Sequence, residues 1–297
     1  MEYSPTQYIL GIKVNYALTM KGVLSIIENQ FLTDGNKHYV CTTNPEFIML
    51  AQTDPGFKKI INESDLSIPD GVGVVQALEY QQAVQNYKKD ISFIAHALVK
   101  GLSIGITAIY SDKLLKKKIK GVELTEKMCA LAEQKGYTVF LLGGRLRDKT
   151  GKHIIQDMDM AEIAAQKLKN KYPKLQIIGA TSRFNRSAAD DAITADYINS
   201  CMKQHGVEHI DFMFVAYEQA YQEKWIVRNR DKINVKVSVG IGSTLDYISE
   251  SMKYSPKMFD RMNLEWLYKL IIQPWRFKRI VRAFPVFPIK VFFDSLK

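Results

Sequence analysis

Over the first two-thirds of the chain, short apolar runs alternate with longer stretches of helical periodicity. Tyr8–Val14, His38–Thr43, Tyr137–Leu142, Gln176–Ile178, Ile210–Val215 and Val235–Gly240 read as strands. Thr19–Leu32, Val72–Val84, Glu123–Lys135, Met160–Lys171, Ala188–Gln204 and Tyr221–Arg230 read as helices between them. Strand followed by helix, repeated, predicts an α/β fold: a mostly parallel sheet with helices on both faces. Such sheets bind ligands at the carboxyl ends of their strands.

Three of those strand ends carry suggestive residues: Asn44-Pro45-Glu46, Gly143-Gly144 and Ile241-Gly242-Ser243. Glycine there lets backbone approach a ligand and offers amides to phosphate, and it equally makes an ordinary turn. No GxxxxGK[ST] run is present, which removes the P-loop NTPases, and no well-placed GxGxxG follows the first strand. Asp70 stands in Ile68-Pro69-Asp70-Gly71-Val72-Gly73, at a corner leading into a helix. Two readings stay open for it: a helix N-cap, or a carboxylate held as a general base. Asp157-Met158-Asp159 has the form of a DxD metal motif, but carboxylates at a helix start explain it as well.

Composition narrows the class. At 46% hydrophobic and 24% charged, the 297 residues can bury a sizeable core. Cys41, Cys129 and Cys201 follow no metal-ligand spacing and suit a reducing cytosol. Met1–Gln7 is polar and lacks the form of a secretory signal. Ile91–Tyr110 is apolar but interrupted by His96, Lys100, Gly101 and Gly105, so it reads as a segment that touches something greasy without spanning a bilayer.

Most of the net charge of +10 lies at the end of the chain, where residues 253–297 hold ten cations and three anions. These residues are read as a basic aromatic C-terminal appendage to a core of residues 1–252. A helix from about Leu264 to Gln273 is interrupted by Pro274, and Pro285 and Pro288 predict an irregular or extended end. Unbroken, a helix would carry Lys269, Arg276 and Arg279 on one side. Cations mixed with Trp266, Trp275, Phe277 and Phe284 suit a membrane interface, single-stranded nucleic acid, or a helix docked by its aromatics.

Eight ordered blocks resemble the WecG/TagA/CpsF glycosyltransferases (glycosyltransferase family 26). They are ILGIKV from Ile9, TTNPE from Thr42, DLSIPDGVGVV from Asp65, KGVEL from Lys120, VFLLGG from Val139, QEKW from Gln222, VGIGSTLDYI from Val239 and LEWLYKLIIQPWRFKR from Leu264. The resemblance runs from about Ile9 to about Pro288. It implies a Rossmann-like core of the GT-E type and an inverting, metal-independent transfer without a cofactor. The donor would be a UDP-sugar, N-acetylmannosamine or its uronic acid. The acceptor would be an undecaprenyl-pyrophosphate-linked sugar, used in cell-surface polysaccharide or teichoic acid synthesis. It makes Asp70 the base and places Thr42, Asn44, Gly71, Gly73, Lys118, Gly143, Gly144, Gln222, Gly242, Asp246, Lys269, Arg276 and Arg279 around the substrates.

It also implies a cytoplasmic protein, peripheral on the inner face of the cell membrane; the basic aromatic pattern of residues 253–297 suits the membrane contact, and the apolar stretch 91–110 is open as a second one. No nucleic acid is expected, and a homo-oligomer stays open. Lys118 and Lys269 stand where the family has arginines, Glu218-Gln219-Ala220 where it has a Gly-x-Pro turn, and Glu250 where it has a glycine. Residues 75–120 are longer than in the shorter members. Two alternatives stand beside the enzyme: a silent scaffold of the same fold, and a nucleic-acid-binding module using the basic tail.

Overall fold

A computed structural model describes residues 4–110, 118–144 and 159–297. Six strands form one all-parallel sheet in the order β4-β3-β8-β7-β5-β6. They are β3 (His38–Thr43), β4 (Leu66–Pro69), β5 (Thr138–Gly143), β6 (Gln176–Thr181), β7 (Ile210–Ala216) and β8 (Val235–Gly240). Alternation along the strands divides the side chains between two faces. Phe212, Phe214, Val237 and Val239 pack under α1 (Met20–Ile26), α6 (Gly121–Lys135) and α7 (Met160–Lys171). Met213, Val215, Phe140 and Leu142 pack under α8 (Asp191–Gln204) and α9 (Tyr221–Asn229). Helices therefore cover both faces, as a parallel sheet requires.

Tyr8–Val14 is not a single strand. It is an antiparallel hairpin, β1 (Thr6–Ile9) and β2 (Ile12–Asn15), turning at Leu10 and Gly11 with φ of 52° and 74°. The hairpin shields the free edge of β4. Asn15 Oδ1 accepts the Ser67 amide at 2.8 Å, and the Ser67 hydroxyl donates to the Lys13 carbonyl at 2.6 Å. Two short helices, α2 (Pro45–Ala51) and α3 (Pro55–Glu63), connect β3 to β4. Each opens on a proline after a capping side chain: Asn44 accepts from the Phe47 amide, and Asp54 from the Phe57 amide. The helix expected over Thr19–Leu32 is α1 running into a wider π turn at Ile27–Phe31.

A second apolar cluster lies away from the sheet, where α2, α3 and α4 (Val72–Val84) meet the hairpin and α5 (Ile91–Tyr110). The end of the chain completes this cluster. After α10 (Thr244–Ile248), α11 (Lys257–Arg261), α12 (Glu265–Ile272) and α13 (Phe277–Val281), the last helix α14 (Phe287–Ser295) buries Phe287 and Val291 there. The irregular end expected from Pro285 and Pro288 is thus helical. Pro288 sits in the first turn of α14, where a missing amide costs nothing, and only Phe284 departs from helical angles.

At the amino end of β3, buried His38 stacks on Phe31 at 4.1 Å between ring centres. Its Nε2 lies 3.0 Å from the Asp34 carboxylate, and its Nδ1 makes an ion pair with Asp65 at 2.9 Å, too bent for a directed hydrogen bond. Burial alone would lower the imidazole pKa. The two carboxylates outweigh it, and the net shift is upward. A raised folded pKa stabilises the fold fully below the unfolded value of about 6.5 and ceases to do so as pH rises through the folded value. The melting temperature of the protein is expected to fall over that window relative to His38→Gln; parallel melting curves of the two from pH 6 to 9 would refute this role.

Candidate active site

The strand order reverses at β3. The chain steps from β3 outward to β4 and later returns to lay β8 on the other side of β3. A cleft opens over the carboxyl ends of β3, β4, β7 and β8, where such folds bind ligands. It has two chambers, of about 220 Å³ and about 310 Å³. The smaller is lined by Thr42, Asn44, Asp70, Gly121, Gln222 and Lys269 among others. The larger is lined by Tyr217, Asp246, Met252, Gln273 and Trp275 among others. Glu218, Gly242, Ser243, Tyr268 and Arg276 face both, so the chambers meet at Arg276.

Asp70 is not a helix cap. Gly71 occupies the cap position of α4, at φ 88° and without a capping side-chain bond. That left-handed corner suits glycine and leaves the Asp70 carboxylate facing the smaller chamber. Its backbone is fixed by a 2.9 Å bond from its amide to the Thr43 carbonyl. Burial is the largest influence on the carboxyl and pushes its pKa up to about 6. Lys269 and Lys118 pull it down, Glu265 pushes it up, and the amide of Gly121, first residue of α6, donates to it. The result is a carboxylate that is ionised at neutral pH and more basic than an ordinary aspartate.

The cations of the cleft come from the end of the chain. Between α12 and α13 the helix breaks at Gln273 (φ −133°, ψ 65°) and continues as a 3₁₀ turn, Pro274–Arg276. Lys269, Arg276 and Arg279 still line one chamber, brought there by the bend and not by a straight helix face. Their electrostatic states differ. Arg279 is paired with Glu46, with contacts of 2.8 and 2.6 Å. Among the described residues, Lys269 and Arg276 have no carboxylate at ion-pair distance. Burial, and then the neighbouring Arg279, lower the pKa of Arg276. Such a cation gains most from a bound anion.

Lys118 does not line either chamber. Its side chain is buried and its ammonium lies 3.3 Å from Asp260 and 3.1 Å from Glu265, partners it shares with Lys120. It clasps the start of α6 to the appendage and acts on Asp70 through charge. Gly73, Gly143 and Gly144 also stand off the walls. A side chain at Gly73 would strike Pro45, one at Gly143 the Ala216 carbonyl, and one at Gly144 would crowd Leu245, so their smallness serves packing. Thr42 lines the smaller chamber while donating to the Gly240 carbonyl at 3.2 Å, and Asn44 does so while capping α2.

Gln222 links two walls. Its Oε1 accepts the Gly242 amide at 2.9 Å and its Nε2 donates to Glu223 at 2.6 Å. Glu223 is fully buried, and burial pushes its pKa up to about 7. Its other oxygen accepts the Ala220 amide at 2.7 Å. The pair presses so closely on β8 that a side chain at Gly240 would meet both. Sequence reasoning passed over Glu223, although it is adjacent to Gln222 in QEKW. Glu46 and Glu218 were visible in the sequence, but not their pairing with Arg279 and Arg186, which rests on distant partners.

The family departures have a backbone signature. Glu218, Ala220 and Glu250 all adopt left-handed φ, of 68°, 66° and 63°, where glycine would be relaxed. Each costs on the order of 1–3 kcal/mol. Glu218 is anchored by Arg186, which also donates to the Tyr217 carbonyl and lies 3.5 Å over the Tyr221 ring. Glu250 is paired with Lys167 at 2.8 Å. Of the DxD pair, Asp157 lies outside the described residues. Asp159 caps α7, and its oxygens also accept from Thr181 and Ser182, which ties it to the end of β6.

The profile of the glycosyl transferase WecG/TagA/CpsF family matches residues 7–95 and 81–297. The chain is 25% identical over 268 residues to a Bacillus subtilis (strain 168) protein, covering 90% of this chain and 84% of that one. It is 24% identical over 284 residues to one from Staphylococcus aureus (strain MRSA252), covering 95% and 91%. Both relatives are named N-acetylglucosaminyldiphosphoundecaprenol N-acetyl-beta-D-mannosaminyltransferase.

Proposed function

Because the chain belongs to the glycosyl transferase WecG/TagA/CpsF family, we propose that it transfers N-acetylmannosamine, or its uronic acid, from a UDP donor to an undecaprenyl-diphosphate-linked sugar. The observation that carries this reading is the pairing, in one cleft, of a half-buried carboxylate more basic than usual with two cations that, among the described residues, have no carboxylate at ion-pair distance. The acceptor hydroxyl attacks the anomeric carbon, Asp70 takes its proton, and the bond to the diphosphate breaks. A single displacement from the opposite side inverts the anomeric centre. Negative charge grows on the leaving diphosphate, and Lys269 and Arg276 neutralise it, with Arg279 beside them. The larger chamber, walled by Tyr217, Tyr268 and Trp275, suits the uridine. Residues 1–252 thus supply the base and 253–297 the cations.

This chemistry has its counter-charge in side chains, so it runs without a metal ion. Transfer from UDP-N-acetylmannosamine to a lipid-diphosphate N-acetylglucosamine is expected to continue at full rate in excess chelator. Abolition by EDTA with recovery on adding manganese would overturn the metal-independent reading, and failure with every UDP-sugar in a donor screen would overturn the transferase reading. The acceptor places the work at a membrane, and the basic aromatic appendage suits the inner, anionic leaflet.

A further inference from the structure

The outer face of α5 lacks what a water-facing helix normally carries. From Ile91 to Thr107 its exposed positions are Ile91, Ser92, Ile94, Ala95, Leu98, Val99, Leu102, Ser103, Ile106 and Thr107, without one charge. Ile91 is 94% exposed, and Ile94, Leu98, Val99, Leu102 and Ile106 are each at least half exposed. The opposite face is already satisfied: Phe93 and Ala97 are buried, and Gly101 lies close against the Tyr80 ring of α4. A contiguous apolar stripe on an otherwise packed helix marks an interaction surface.

The surroundings of the stripe identify its partner. Lys88 and Lys89 stand exposed just before the helix, and Lys100 lies on its flank. Beside it α14, which packs on α4 and α5, exposes Ile289, Lys290 and Phe293. Asp90, the anion nearest the start of α5, is turned onto Ser92. An apolar stripe edged by cations fits an anionic bilayer surface. A second copy of this chain fits poorly. The stripe is ~23 Å long and ~10 Å wide, about a quarter of the ~800 Å² per partner of a stable dimer. Among the described residues no helix is long and apolar enough to cross a membrane, so the contact lies in the plane of the interface.

We infer that α5 is a membrane-docking helix whose uncharged face enters the headgroup layer of an anionic bilayer, with the exposed side of α14 beside it. This deepens the proposed function, on which it rests for the identity of the lipid-linked acceptor. α4 begins two residues after Asp70 and carries α5 on its flank, so docking seats the cleft one helix from the lipid.

The test uses the full chain and phosphatidylcholine vesicles with and without phosphatidylglycerol. Wild-type protein sediments with the anionic vesicles, and Leu98→Glu/Leu102→Glu lowers that binding at least tenfold, since each leucine loses apolar contact and gains charge. Ile193→Glu, exposed on α8, serves as the control and leaves binding unchanged. Because Cys41, Cys129 and Cys201 are buried, Leu98→Cys can carry an environment-sensitive dye, whose emission shifts to the blue on vesicle addition. The proposal falls if the double variant binds as wild type does, or if the dye stays in water. It falls equally if wild type is a dimer that the double substitution dissociates while vesicle binding is unaffected. Transfer to a short-chain soluble acceptor separates the two readings. The double variant keeps that rate; if neither protein transfers any sugar while the vesicle pattern holds, docking stands and the enzymatic reading fails.

Discussion

Asp70→Asn is expected to lower turnover about 100-fold or more, the scale on which a general base acts, while the protein becomes more stable at neutral pH. The two effects share one cause. Burial pushes the folded pKa up to about 6 from the ordinary 3.8. The folded state therefore holds a proton that the unfolded chain has released, and stability falls as pH rises from about 4 to about 6. Above that window the ionised carboxylate costs about 1–3 kcal/mol, which asparagine avoids. The rate of the wild-type enzyme runs the opposite way: it is lost as pH falls below about 6, when the base is protonated. Single-turnover rates and melting curves from pH 5 to 8 check both limbs. Near-normal turnover in the variant would remove Asp70 from the chemistry. A variant no more stable than wild type at pH 8 would show that the carboxylate is not held against its own solvation.

Arg276→Ala is expected to cost about 100- to 1000-fold in turnover, the loss seen when one preorganised donor to a developing anion is removed. Arg276 faces both chambers and has no carboxylate partner among the described residues, so its whole charge is available to the diphosphate. Arg279 already shares its charge with Glu46, and Arg279→Ala is expected to cost less. Arg276→Lys should recover part of the rate, keeping the charge and losing the bidentate fork. Turnover at saturating UDP-sugar, beside vesicle binding of the same proteins, is the measurement. Equal losses for Arg276→Ala and Arg279→Ala would contradict the division of labour, and a loss of vesicle binding matching the loss of rate would move Arg276 to the membrane contact.

The strands of the large sheet were legible because buried parallel strands are short apolar runs bounded by polar turns. β4 was not, being four residues long, and the hairpin passed for one strand because its turn, Leu10-Gly11, lies inside one short, mostly apolar run. The proline after Asn44, and again after Asp54, could have announced α2 and α3. Asp70 was visible as a corner leading into a helix, but Gly71 taking the cap position is a backbone fact that the letters leave open. Charge pairing was least legible. Whether Lys118 reaches a substrate or is tied to Asp260, and whether Arg279 is free or paired with Glu46, depends on partners more than 140 residues away. A short motif cannot encode that. The glycines misled for a related reason: the same residue serves a close ligand and a close neighbouring strand, and only the fold distinguishes Gly242 from Gly143.

The pairing of β3 with β8 sets an order of assembly. His38 meets Val237 across the ladder, so the centre of the sheet cannot close until the chain between them has been made and gathered. Contacts of such long range are slow to form, because the entropy of closing the loop is spent before the ladder repays it. The cations arrive later still, since Lys269 and Arg276 follow β8 in the chain and α14 then packs Phe287 and Val291 into the second cluster. Synthesis proceeds from the amino end. A growing chain thus carries Asp70 long before it carries the cations proposed to hold the diphosphate, so on that reading the competence to break a donor comes last.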